Sequence, residues 1–192
     1  MRFIFVLFFL SQILVVAQVE KENIENDFLE FRKLFDNNQF DEAMNYFSDF
    51  HFETMSRSEM LQYYREHPTI KIPAISKSTQ IDSISFPTKQ KGIYYALVSY
   101  SRVLEHKKTK INDSIKSEYS ENEINGMKRI IGEENVYYNK DTQTVFFKEN
   151  YNAYAIFKPD QSHWVFIFVD KDNYSLIRKI IPDNLALKEI PN

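Results

Sequence analysis

Cysteine is absent from all 192 residues. Disulfides, thiolate nucleophiles, zinc–thiolate centres and cysteine-linked lipid anchors are excluded together. Glycine is nearly as scarce, with 3 residues. A P-loop or a dinucleotide fingerprint needs several glycines, and neither pattern occurs; nor does the G-x-S-x-G elbow of serine hydrolases. The histidines, His51, His67, His106 and His163, form no i,i+2 or i,i+4 pair and no H-E-x-x-H. No metal centre and no cofactor is therefore expected. Positive charge is not in excess either: 24 Lys and Arg against 27 Asp and Glu give a net charge of −3. That balance supplies no field for nucleic acid or for an anionic membrane surface.

What the chain does have is rings. It carries 17 Phe, 12 Tyr and one Trp, an aromatic share of 16%, and such a composition belongs to a packed globule. The amino terminus is a separate matter. Met1-Arg2 is followed by an apolar run, Phe3 to Val16, broken only by Ser11 and Gln12, and then by Ala17. A basic start, a short apolar stretch and a small residue at the end predict a cleavable signal peptide over 1–17, cut before Gln18. The run is shorter than the roughly 20 residues that span a bilayer, so an uncleaved anchor is the disfavoured alternative. The expectation is an exported protein, periplasmic or extracellular, with no stable membrane anchor and a single α+β domain over 18–192.

Along that domain the hydrophobic period changes twice. Ile24, Phe28, Phe31 and Phe35 make one helical stripe, interrupted at Asp36-Asn37-Asn38. Phe40, Ala43, Met44 and Phe47 predict a second helix. Ser56-Arg57-Ser58-Glu59 predicts a capping box opening a third, which ends by Pro68. Thr79–Phe86 and Ile93–Glu105 alternate as strands, with Pro87–Gly92 as the turn between them. A charged loop, His106–Ser120, precedes a helix capped by Ser120 and closed by Gly132. Strands over Thr142–Glu149, Tyr151–Lys158 and His163–Asp170 then follow as a meander, with turns at Asn150 and at Pro159–Ser162. Pro182 is placed to open a short terminal helix. Helices leading into an antiparallel sheet predict an α+β fold.

Two segments carry a family resemblance: Ile131-Gly132-Glu133-Glu134-Asn135-Val136-Tyr137, a helix end passing into a strand, and His163-Trp164-Val165-Phe166 on the last meander. With the order of elements from Ile24 to Ile190, they make the chain resemble the nuclear transport factor 2-like superfamily. The likeness is to SnoaL-like and ketosteroid-isomerase-like cones, and to exported members of the Bacteroidetes type. The resemblance implies leading helices packed into a strongly curved antiparallel sheet, with one helix inserted between strands. It carries over no catalytic residue, because fold does not transfer function.

Four side chains are candidates for ligand binding. Tyr94, Tyr100 and Arg102 share one face of a strand, and Tyr154 lies on a later strand that could oppose them. Together they would orient an anionic or carbonyl ligand; the competing reading packs the rings as core and leaves Arg102 at a solvated strand end. The segment His163–Val169 is apolar on both faces, so either the terminal segment Leu176–Ile190 or a second subunit must cover it. The expected function is an exported, non-enzymatic domain that binds an apolar small molecule or a protein partner in the cell envelope. The alternatives are a ketosteroid-isomerase- or dehydratase-like enzyme with a buried acid or base, and a structural homodimerisation domain with a filled cone.

Overall fold

The computed structural model describes residues 20–53, 55–66, 74–107, 119–171, 173–183 and 185. The signal-peptide reading of 1–17 lies outside the described residues, as do Pro68 and most of the loop expected over His106–Ser120.

Helix α1 occupies 20–36. Its stripe does what the period requires: Ile24, Phe28 and Phe31 have no exposed surface, and Phe35 packs against the same cluster. Burying a Phe completely stabilises the fold by up to ~3 kcal/mol. The helix stops because Asn38 enters the left-handed region at φ 61°. Gln39 N–H then reaches the Leu34 carbonyl at 2.9 Å and Asn38 N–H the Phe35 carbonyl at 3.1 Å, a Schellman closure.

The second helix is shorter than its pattern suggests. Helix α2 is Phe40–Ala43, continued by a 3-10 turn at Met44–Tyr46. Phe47 is extended and bridges Phe166 in parallel, so pairing with the sheet overrides the helical period there. A further 3-10 turn, Asp49–Glu53, leads to α3, Arg57–Glu66. Its capping box forms as expected: Glu59 N–H donates to Ser56 Oγ at 3.3 Å and Ser56 N–H to Glu59 Oε2 at 2.9 Å.

The sheet is antiparallel and strongly curled, a half-barrel consistent with a cone. Its strands are β1 Ala74–Ile84, β2 Thr88–Gln90, β3 Ile93–Lys107, β4 Val136–Asn139, β5 Thr144–Phe157 and β6 Val165–Phe168. The order is β1-β3-β5-β4, with β2 beside β3 and β6 beside β5. Irregularities at Ser76/Ser78 and Ile81/Ser83 bend β1 against β3, as bulges do.

Two expectations need correction. Pro87–Gly92 is not turn throughout: Thr88–Gln90 pairs with β3, and Lys91 and Gly92, at φ 50° and 85°, make the two-residue turn. Such a turn matches strand twist only when both central φ are positive. Asn150 is not a turn at all. It pairs with Ser101 inside β5, which runs unbroken for 14 residues beside β3; the hairpin turn lies earlier, at 140–143, where Gln143 has φ 50°. The C-terminal helix α5 is Tyr174–Ile180; the short helix expected to open at Pro182 lies largely outside the described residues.

Strand alternation then sorts the core. Ala96, Val98 and Tyr100 of β3, Ala153 and Ala155 of β5, and Trp164 and Phe166 near β6 pack under α1. The opposite face carries Tyr95, Tyr154, Ile156, Val165 and Ile167, covered by Leu176 and Ile177 of α5 and by Ile181. The chain's own terminal segment thus covers the second apolar face. Helix α4, Glu121–Ile131, covers a third cluster at the far end of the sheet, with Val145 and Phe147. It begins with a complete Ser120–Glu123 capping box and ends at Gly132, φ 104°.

Candidate functional site

On an antiparallel pair, residues opposite one another share a face. The β3–β5 register sets Tyr100 against Tyr151, Arg102 against Glu149 and Leu104 against Phe147. Tyr100 belongs to the α1 cluster and Leu104 to the α4 cluster. Arg102 and Glu149 therefore form a polar band between two apolar halves of one concave face.

Helix α1 completes that band. Arg32 and Asp36 sit one turn apart, and Arg32 Nη2 donates to Asp36 Oδ1 at 2.6 Å. Arg102 Nη2 donates to the same oxygen at 2.9 Å. Arg32 is only 7% exposed. Burial, and then the neighbouring Arg102, push its pKa below the usual value, while Asp36 opposes them; a guanidinium stays charged regardless. The Tyr151 ring stacks on Tyr100, centroids 5.4 Å apart at 23°, and its hydroxyl donates to Glu149 Oε2. Burial pushes the Tyr100 hydroxyl up to about 12 against the pull of both arginines. Tyr151 is raised further, by burial and then by its bond to Glu149. These phenols are neutral donors at physiological pH.

Of the four sequence candidates, Tyr100 and Arg102 come together in this band. Tyr94 shares their face but lies six residues along the strand, ~20 Å away at 3.3 Å per residue. Its ring meets Phe157, with Lys89 Nζ 5.0 Å from its centroid. Tyr154 is on the opposite face, fully buried, with its hydroxyl donating to the Leu185 carbonyl at 3.1 Å. The residue that opposes Tyr100 is Tyr151. Placing a turn at Asn150 hid this, because it cut the strand where the pairing is continuous. Arg32, Asp36, Glu149 and Tyr151 are the members that sequence reasoning missed. The i,i+4 spacing of Arg32 and Asp36 was the available signal.

The interior beneath α1 is filled. Phe28 packs edge-on to Tyr100 at 4.7 Å and to Phe166 at 5.1 Å, and Phe31 meets Phe47 at 5.5 Å and Phe168 at 5.3 Å. His51 sits at the margin of this packing, 6% exposed, its ring edge-on to Phe47 at 5.1 Å and Nδ1 3.3 Å from the Ser48 carbonyl. Burial pushes its pKa down to about 4, so the imidazole is neutral at pH 7. Asp27, raised chiefly by burial, caps the strand connection by accepting from Trp164 N–H at 2.8 Å.

An open groove of about 640 Å³ lies between α4 and the β4–β5 hairpin. Its walls include Ile124, Lys128, Tyr138 and Lys140. Tyr138 donates to Gln143 Oε1 at 2.6 Å, Tyr119 N–H reaches the same oxygen at 3.3 Å, and the Tyr119 hydroxyl meets His106 Nδ1. Tyr137 stands at the groove 64% exposed.

Among the described residues, no three His, Cys, Asp or Glu side chains are placed to hold a metal ion, and no helix is long and apolar enough to cross a membrane. The chain matches no family model, no curated protein and no solved structure at a significant level.

Proposed function

We propose that this chain is an exported, non-enzymatic binding module built on a cone of the nuclear transport factor 2-like type, and that it takes a protein partner on its outer surface. One observation carries the reading: the concave face beneath α1 is occupied by the chain's own rings. Phe28, Phe31 and Phe166 have no exposed surface, and close-packed interiors leave no room for a further apolar molecule. Small-molecule sites are concave and largely preformed, whereas the recess between α4 and the β4–β5 hairpin is open and mixed in polarity. The curled α+β half-barrel is consistent with the cone.

The enzyme alternative needs an acid or base with a tuned pKa beside a cavity. Asp27 and His51 have shifted pKa values, but both are engaged in packing and backbone hydrogen bonds. Native mass spectrometry of the protein purified from the compartment it is exported to tests the proposal. The expected species has the mass of the processed chain alone or with a protein partner. An uncharged apolar small molecule retained one-to-one would refute it.

A further inference from the structure

Two guanidiniums converge on a single carboxylate oxygen. Arg32 and Arg102 both donate to Asp36 Oδ1, so the trio holds one more positive charge than negative. Glu149 faces Arg102 across the β3–β5 register, yet it accepts from the Tyr151 hydroxyl instead. Each guanidinium offers five N–H donors in a planar fork, and the two bonds to Asp36 use one from each. Nε of Arg32 and Nε of Arg102 are buried with no hydrogen-bond partner among the described residues. A cation buried without a full complement of acceptors is costly, and paired arginine forks match the planar geometry of an oxyanion.

The band is reachable at its edge. The side chains of Arg102 and Asp36 are 18% and 26% exposed, and Tyr151 is half-buried beside them. Its charge environment also selects among anions. Asp36 and Glu149 line it, Asp170 is close enough to act on the Tyr100 hydroxyl, and the chain carries −3 overall. A dianion meets more repulsion there than a monoanion.

We propose that this rim is a binding site for a small monovalent carboxylate, whose planar head meets the guanidinium N–H donors that the rim exposes while its apolar body lies against the Tyr151 ring. The site is independent of the surface-partner reading and of the filled interior.

Thermal unfolding at pH 7 and fixed ionic strength, with sodium benzoate, phosphate or chloride, tests it. A ligand that binds only the folded state raises the midpoint saturably. The wild type is expected to respond to benzoate in the millimolar range, less to phosphate, and not to chloride. Arg102→Gln weakens the benzoate response at least tenfold. Asp36→Asn removes the competing carboxylate and strengthens it several-fold. If Arg102→Gln fails to fold, Arg102→Lys keeps the charge without the fork and shows the same weakening. A wild type indifferent to benzoate overturns the proposal, even if Asp36→Asn responds, because Asp36 then fills the site itself. An undiminished response in the Arg102 variants, or a phosphate response exceeding that of benzoate, overturns it equally.

Discussion

Acidification should destabilise this protein through one buried imidazole. His51 lies on the 3-10 turn Asp49–Glu53, packed edge-on to Phe47, and burial lowers its pKa from 6.5 to about 4. The folded state therefore binds the proton less readily than the unfolded chain. Stability is complete above pH 6.5, declines as pH falls toward 4, and loses nothing more from this group below that. A difference of about 2.5 units at 1.36 kcal/mol each amounts to ~3 kcal/mol, a large fraction of a typical domain's 5–15 kcal/mol. The ion pairs on the same turn, Asp49–Lys158 and Glu53–Lys179, are both 2.7 Å long and exposed on at least one side, so each contributes less than ~1 kcal/mol. Urea unfolding of wild type and His51→Gln at half-unit steps from pH 4 to 7.5 isolates the term, since the carboxylates common to both cancel. The wild type should lose ~3 kcal/mol more than the variant across that window. Parallel pH profiles, or an NMR titration of His51 near 6.5, would refute the reasoning.

Other substitutions follow from the backbone. Gly132→Ala forces a side chain onto φ 104°, with its Cβ 2.9 Å from Glu134 Oε1, and should cost about 1–2 kcal/mol in urea unfolding. Ser120→Ala removes the acceptor that caps Glu123 N–H at 3.3 Å and should cost ~1 kcal/mol, with hydrogen exchange accelerating first at the start of α4. Asn150→Pro fixes φ at about −65° in the middle of the continuous β5 strand, so the midpoint should fall on thermal unfolding; a proline accepted there without loss would restore the turn.

Elements whose pattern is local were legible in the sequence. The α1 stripe reads directly because Ile24, Phe28 and Phe31 recur at the helical period. Alternation along β3 and around Val165–Phe168 gave both sheet faces correctly, and the second apolar face implied the cover that α5 supplies. Failures came where distant pairing outweighed a local signal. Asn150 favours turns by composition, but the full length of β3 pairs through it. The helical run from Phe40 gives way because Phe47 bridges the sheet. The Arg32–Asp36–Arg102 convergence was out of reach, because 66 residues separate Asp36 from Arg102 and only the curl of the sheet brings α1 over that strand position.

Whether rings alone occupy the concave face can be measured directly by calorimetric titration with benzene, using Phe31→Ala as the reference that carries an engineered cavity. An apolar cavity of that kind binds benzene; saturable uptake is expected by the variant and none by the wild type. Stoichiometric uptake by the wild type would contradict it.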